Sequence, residues 1–174
     1  LQGSDVGHVV RGGGRMELTR IAPIVYQVCR ALEAAHRKGI VHRDLKPDNI
    51  FLIERDERRD VVKVLDFGLA KLGAGQAGGE LTGAPTIDDT REGMIVGTAA
   101  YMSPEQAAAE RHIDGRSDVY SLGCVLFELL TGAPPFVGPT ARAVIARHMT
   151  EPPPNVRRLR PEVTEQLQHT IERM

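Results

Sequence analysis

Two short stretches of this chain bring together side chains that could transfer a phosphoryl group. Asp44, Lys46 and Asn49 lie within the segment 42–49, and Asp66 follows further along. A carboxylate, an ammonium, an amide and a second carboxylate can orient a hydroxyl, neutralise phosphate oxygens and hold a divalent cation. The set therefore predicts transfer of a phosphoryl group from a nucleotide to a hydroxyl.

A short β-hairpin is predicted to bring these groups to one place. Apolar, β-branched residues at 50–53 and 61–65 predict two strands, and the charged run 54–60 predicts an exposed connection between them. A hairpin returns its two ends to the same edge. We therefore expect Asn49, before the first strand, to converge with Asp66, after the second.

Helices are predicted to make up most of the remaining chain. Apolar residues recur on one face of 17–38, which is typical of an amphipathic helix, and Gly39 ends it. The stretch 117–131 is apolar on nearly every side, which favours a central buried helix. Further helices are predicted at 139–149 and 164–174, and the Gly-rich residues 1–15 allow at most a short helix over 4–11. The fold class is α+β, mostly helical with a small β-hairpin.

Composition narrows the class of protein. The 174 residues fit one domain, and a net charge of −1 argues against nucleic acid or an anionic membrane as a partner. Cys29 and Cys124 are too few for a disulfide framework or a cysteine metal cluster, which favours a reducing, cytoplasmic compartment. No apolar run reaches the length of a membrane span. Because the chain begins at Leu1, we expect it to be a fragment of a protein that could be membrane-anchored elsewhere.

The order of residues in the two stretches resembles a known family. The sequence HRDLKPDN at 42–49, followed by DFG at 66–68, resembles the catalytic loop and metal-binding motif of protein kinases. The resemblance extends from about residue 1 to the end of the chain. It implies a protein-kinase-like C-terminal lobe in which the hairpin carries both loops, and it makes His42 and Phe67 packing residues.

The resemblance implies a role for each polar residue, with ATP and Mg²⁺ as cofactors. Asp44 would accept the proton of the substrate hydroxyl, and Lys46 would place a positive charge near the transferring phosphate. Asn49 and Asp66 would be the ligands of Mg²⁺. Phe51 aligns with the family position on the floor of the adenine pocket, although an ordinary buried strand residue explains it equally well.

A second matching stretch is the sequence GTAAYMSPE at 97–105. It resembles the segment that closes the activation segment, here 66–105, and docks the protein substrate; we call residues 97–105 the docking segment. The resemblance implies that Thr98 hydrogen-bonds near Asp44 and Lys46. The Gly-rich residues 73–93 inside the activation segment are predicted to form a mobile loop.

The later part of the chain resembles the family's central buried helix. Asp118 opens the sequence DVYSLG, and the resemblance implies that its carboxylate braces the backbone of the catalytic loop. Glu105 usually pairs with an arginine that lies further along than Met174, so we expect Glu105 to be unpaired or weakly paired here.

Individual residues in the motifs favour one branch of the family. Lys46 followed by Pro47 is typical of serine/threonine kinases, and the docking segment resembles bacterial-type (Hanks-like) members. Protein substrates with serine or threonine are therefore the expected partners. Arg43 before the proposed base is typical of kinases that are switched by phosphorylation, and Thr90 is our hypothesis for the modified residue; Thr82, Thr86 and Thr98 are further candidates.

Parts of the family pattern are missing, and this leaves a second function open. Upstream of the catalytic loop there is no Gly-rich phosphate loop, since Gly12–Gly14 lack the required spacing, and no strand lysine. We therefore interpret residues 1–174 as a partial kinase domain without its N-terminal lobe. The alternative is a non-catalytic fragment or interaction module, inactive as given. A small-molecule phosphotransferase is disfavoured by the docking segment at 97–105.

Overall fold

The computed structural model describes residues 3–55, 58–67 and 97–174. Strand β1 (Gly3–Asp5) leads into helix α1 (Val6–Gly13) and the long helix α2 (Leu18–His36), and a 3₁₀ turn (Pro47–Asn49) precedes the next strands. The remaining elements, in chain order, are β2 (Ile50–Arg55), β3 (Arg58–Val64), α3 (Pro104–Ala107), α4 (Gly115–Thr131), α5 (Ala141–Thr150), α6 (Val156–Leu159) and α7 (Glu165–Glu172).

The sheet has three antiparallel strands rather than the two that the sequence predicts. Strand β1 pairs with β2, with Gly3 opposite Ile53 and Asp5 opposite Phe51. The short helix predicted over 4–11 is present as α1 (Val6–Gly13), but strand β1 before it was not predicted. A side chain at position 3 would place its Cβ 2.3 Å from the Leu52 carbonyl oxygen, so this close pairing needs glycine.

The hairpin itself also extends further than predicted. Strand β2 continues to Arg55 and β3 begins at Arg58, so most of the charged run 54–60 is paired rather than a loop. The pairing is irregular between Ile53 and Arg55. Charged residues in this run do not prevent the ladder, because backbone groups make the hydrogen bonds of a sheet.

Helix α4 forms the centre of the core. Asp114 caps its first turn, and Gly132 ends it with a left-handed backbone at φ 91°. Most of its side chains are buried, and they pack against the buried face of α2, which includes Ile24 and Val28. The predicted helices at 17–38 and 117–131 are confirmed, with the ends shifted by one or two residues. This pair is the platform for the catalytic loop.

Two side chains of α2 attach the hairpin to that platform. Arg20 makes a paired contact with the carboxylate of Asp60, with both N–O distances at 2.7 Å. The Gln27 amide donates to the Asp60 carbonyl and accepts from the Val62 N–H. The hairpin is therefore fixed to helix α2 by side chains as well as held together by its own strand pairing.

None of the helices in the described part of the chain is long and apolar enough to cross a membrane.

Candidate active site

The backbone of the catalytic loop is held by one buried carboxylate. Asp118, in the first turn of α4, is fully buried and accepts hydrogen bonds from the N–H groups of His42 and Arg43, each at 2.8 Å. The ring of His36, at the end of α2, contacts the same carboxylate at 2.7 Å. The bracing contact implied by the resemblance for Asp118 is therefore present.

Two residues beside the site have a left-handed backbone, which is unusual for side chains other than glycine. The φ angles are 65° for Arg43 and 56° for Asp66. Such a conformation costs about 1–2 kcal/mol for each residue and persists where the surroundings hold it. At Arg43 the N–H donates to Asp118 and the carbonyl accepts a 2.6 Å hydrogen bond from the amide of Gln106.

His42 joins the catalytic loop to the end of the hairpin. Its Nδ1 accepts from the N–H of Asp44 at 3.2 Å, so its Nε2 carries the proton and donates to the Leu65 carbonyl at 2.8 Å. The fully buried ring packs against Phe67 with the centroids 4.8 Å apart. Both residues therefore pack as the resemblance implies, and His42 bridges the backbones next to Asp44 and Asp66.

Four of the predicted site residues form one hydrogen-bonded group. The Lys46 ammonium lies 3.2 Å from Asp44 Oδ2 and 3.2 Å from Thr98 Oγ1. The Asn49 amide nitrogen donates to the Asp44 carbonyl at 2.8 Å and approaches Asp44 Oδ2 at 3.3 Å. The contact implied for Thr98 is present, and it brings the docking segment onto the catalytic loop.

Asp66 lies at the same end of the hairpin as Asn49. The Leu65 N–H donates to the Asn49 carbonyl at 2.8 Å, which joins the residue before Asp66 to the residue before β2. The Asp66 side chain is exposed, whereas Asn49 is buried. The structure thus brings the two predicted metal ligands to one edge of the hairpin.

The chemistry of these two ligands fits Mg²⁺. Because the Asn49 nitrogen donates to Asp44, its oxygen Oδ1 is left without a hydrogen-bond partner among the described residues. Together with the Asp66 carboxylate it offers hard oxygen ligands, and Mg²⁺ needs only one or two protein groups when phosphates complete its shell. Within residues 3–55, 58–67 and 97–174 there is no group of three or more His, Cys, Asp or Glu that could hold a metal.

Phe51, the last of the predicted site residues, lies on the middle strand of the sheet. Phe51 is partly buried in β2, between Asp5 on β1 and Lys63 on β3, so it is a strand residue whose place beneath a nucleotide stays a prediction. Gly68, the predicted mobile loop 73–93 and the threonines proposed for phosphorylation in it, Thr82, Thr86 and Thr90, lie outside the described residues.

Sequence reasoning missed the polar group behind the docking segment. Ser117 donates to the Glu105 carboxylate and accepts from Ser103 at 3.1 Å, and both serines are fully buried. Glu105 makes no ion pair within the described part of the chain, and its carboxylate accepts from Ser117 instead. The contacts of Ser117 with Ser103 and Glu105 join two helices, so they could not be inferred from spacing.

A buried carboxylate lies directly beneath the docking segment. The Tyr101 hydroxyl donates to Glu128 of α4 at 2.5 Å, and both side chains are buried. Burial raises the pKa of Glu128 above its ordinary value, and the nearby Asp48 acts in the same direction. Burial and the carboxylate together also raise the pKa of Tyr101.

Glu128→Gln should make the fold more stable at pH 7. A carboxyl group whose pKa is raised on folding stabilises the native state below its unfolded pKa and loses that contribution as pH rises through the folded value. The glutamine can still accept from Tyr101 and carries no charge. The gain over wild type, measured by urea unfolding, should therefore shrink as pH is lowered to 4. A gain independent of pH, or equal to that of exposed Glu165→Gln, would contradict this.

Comparison with known proteins identifies the family. The family model described as the protein kinase domain matches residues 1–173. The chain is 45% identical over 151 residues to the serine/threonine-protein kinase Pkn1 of Myxococcus xanthus, covering 87% of this chain and 20% of Pkn1. It is 39% identical over 171 residues to PknB of Mycolicibacterium smegmatis, covering 98% of this chain and 25% of PknB. The chain thus spans about a fifth to a quarter of the length of these relatives.

A solved structure supports the fold. The crystal structure of the PknI kinase domain of Mycobacterium tuberculosis matches with a TM-score of 0.65 at 23% sequence identity, over 99% of this chain and 53% of that one. At this identity the likeness concerns the fold, a protein-kinase-like arrangement of helices with a small antiparallel sheet. From the family match and the identities to its relatives, this chain belongs to the protein kinase family, in the bacterial (Hanks-like) serine/threonine group.

Proposed function

We propose that this chain is the C-terminal lobe of an ATP-dependent serine/threonine protein kinase and carries its catalytic loop. The observation behind the proposal is the hydrogen-bonded group of Asp44, Lys46, Asn49 and Thr98, with Asp66 at the adjoining end of the hairpin. The reaction would move the γ-phosphoryl group of ATP to a serine or threonine hydroxyl of a protein substrate.

Asp44 is the proposed base. Its Oδ2 is occupied by Lys46 and Asn49, while its Oδ1 makes no hydrogen bond with any described residue. The side chain is 43% exposed, so a substrate hydroxyl can reach Oδ1. As the hydroxyl oxygen bonds to the γ-phosphorus and the bond to the ADP oxygen breaks, the hydroxyl proton passes to this carboxylate.

Lys46 and Thr98 are proposed to act together on the phosphate. The Lys46 ammonium is held between Asp44 and Thr98, so its charge stays beside the base. A positive charge in this place stabilises the transferring phosphoryl group. The Thr98 contact makes this arrangement depend on the docking segment, which would couple a seated substrate to an ordered lysine.

Asn49 and Asp66 are proposed to hold Mg²⁺, which supplies charge neutralisation at the phosphate oxygens when it is bound. Asn49 donates to Asp44 with its nitrogen, which orients its oxygen for a cation. The left-handed backbone of Asp66 sets the direction in which the chain leaves β3. We also propose that Phe51 lines the adenine site, that residues 66–105 are the activation segment with a mobile loop at 73–93, and that the protein works in the cytoplasm.

Phosphate transfer by the full-length protein that contains this chain tests the proposal. With labelled ATP, Mg²⁺ and a generic protein substrate such as casein, we expect phosphoserine or phosphothreonine after acid hydrolysis. Asp66→Asn should raise the Mg²⁺ concentration that gives half-maximal rate at least tenfold, whereas Glu165→Gln, an exposed carboxylate on α7, should not. Phosphotyrosine alone, or the same Mg²⁺ dependence in Asp66→Asn, would contradict the proposal.

A comparison of the 174-residue chain with the full-length protein that contains it distinguishes the alternative function. The chain alone is expected to transfer little or no phosphate under either function, because its sequence has no Gly-rich phosphate loop or strand lysine upstream of the catalytic loop. If the full-length protein is also inactive yet binds a protein partner through this chain, the non-catalytic interaction module is the correct reading.

A further inference from the structure

Gln106 connects the docking segment to the catalytic loop through both ends of its side-chain amide. Its nitrogen Nε2 donates to the Arg43 carbonyl at 2.6 Å, across 63 residues of sequence. Its oxygen Oε1 accepts from the N–H of Ser103 at 3.2 Å. The side chain is partly buried, in helix α3 immediately after the docking segment.

Only an amide satisfies both partners. The Arg43 carbonyl requires a donor and the Ser103 N–H requires an acceptor, so the orientation of the amide is determined by its surroundings. A glutamate would set a carboxylate oxygen against the Arg43 carbonyl oxygen. A methionine would leave both backbone groups without these partners.

The peptide that Gln106 holds is the one that enters Asp44. Its carbonyl belongs to Arg43 and accepts from Gln106, while its N–H belongs to Asp44 and donates to the ring of His42. Arg43 has a left-handed backbone at φ 65°. The peptide that follows it therefore has a different orientation from a peptide that follows a residue in the right-handed helical or extended conformation. A change in ψ of Arg43 would turn this peptide and shift the Cα of Asp44 and hence its carboxylate.

A series of hydrogen bonds through two serine hydroxyls holds the backbone of Gln106. Each serine hydroxyl has one proton, and Ser117 donates its own to the Glu105 carboxylate. In its 3.1 Å contact with Ser117, Ser103 is therefore the donor, and its hydroxyl also lies 3.2 Å from Gln106 Oε1. The N–H of Gln106 donates to Ser103 at 3.4 Å. All donors point the same way along this series, which holds α3 against the first turn of α4.

We infer that Gln106 is a positioning residue for Asp44. Through this side chain the docking segment and the catalytic loop would move as one unit. The inference rests on the proposed function. A substrate that seats on the docking segment would hold α3, and Gln106 would carry that constraint to the peptide preceding the base. Asp118 anchors the same turn from the other side, so the orientation of Asp44 depends on both α3 and α4.

Gln106→Glu in the full-length protein tests the inference. We expect kcat for phosphate transfer to fall on the order of 10- to 100-fold, since small displacements of a reacting group have effects of this size. The KM for MgATP should stay within about twofold, because the amide does not face the metal ligands. Gln106→Met should act in the same direction. The matched control is Gln166→Glu, the same change at an exposed position of α7, and it should leave kcat within about twofold.

Hydrogen exchange gives a second measurement that does not require activity. The backbone amides of residues 43–46 should exchange faster in Gln106→Glu than in wild type, while those in the middle of α4 should not change. Two outcomes in an active wild-type protein would overturn the positioning role while the proposed function stands. One is an unchanged kcat in Gln106→Glu; the other is a KM for MgATP that rises in proportion to the fall in kcat. If wild type and Asp44→Asn are equally inactive, the proposed function is contradicted; unchanged exchange at 43–46 would overturn the coupling separately.

Discussion

Replacing Asp44 by asparagine in the full-length protein should lower the rate of phosphate transfer about 10²- to 10⁴-fold, the range over which a positioned proton acceptor contributes. The amide has nearly the shape of the carboxylate and can still approach Lys46 and Asn49, but it cannot take a proton from the substrate hydroxyl. The affinity for MgATP should remain close to that of wild type, because Asp44 is not among the proposed metal ligands.

Single-turnover transfer of labelled phosphate to a protein substrate measures this effect apart from product release. Glu165→Gln provides the control, because it makes the same change of carboxylate to amide at a side chain that is 84% exposed on α7. A rate for Asp44→Asn within about threefold of that control would remove Asp44 from the role of base.

Asp118→Ala should cost about 2–6 kcal/mol of unfolding free energy, because each of the two backbone N–H groups left without an acceptor costs about 1–3 kcal/mol. The substitution leaves the N–H groups of His42 and Arg43 and the ring of His36 without their shared acceptor. Urea unfolding followed by circular dichroism measures the loss; the chain has no tryptophan to serve as a fluorescent probe.

Asp114→Ala is the comparison for that measurement. Asp114 also lies at the start of α4, but it is exposed and caps the helix by accepting from the N–H of Arg116. Loss of a helix cap costs about 1 kcal/mol. If Asp118→Ala is no more destabilising than Asp114→Ala, the buried carboxylate does not hold the catalytic loop as described. Asp118→Asn should fall between the two, because its oxygen can still accept.

The long helices and the polar group of the site could be predicted from the sequence for different reasons. The apolar face of α2 and the wholly apolar α4 are local patterns that repeat over several turns. Asp44, Lys46, Asn49 and Asp66 were located by a motif whose order is specific. Because a hairpin returns its two ends to the same edge, Asn49 and Asp66 were expected to lie close together, and the Leu65–Asn49 hydrogen bond agrees with this.

Strand β1 and the contact of Gln106 with Arg43 could not be predicted, because neither has a local signal. A strand of three residues is too short to show alternation, and its partner Phe51 lies far along the chain. Gln106 resembles any polar residue in the first turn of a helix until Arg43 is placed beside it. Side-chain contacts to a distant backbone depend on tertiary structure and leave no spacing in the sequence.

The separation in sequence between the catalytic loop and its buried anchor has a consequence for how the protein is made. The N–H of Arg43 is held by a residue 75 positions later, so the ribosome completes the loop well before its anchor. At roughly 5–20 residues per second, this delay is about 4–15 s. During that time the nascent chain has α2 but lacks Asp118 and Gln106, the two side chains that hold the backbone of Arg43. The catalytic geometry is therefore acquired only after the helix that begins at Gly115 has emerged and packed.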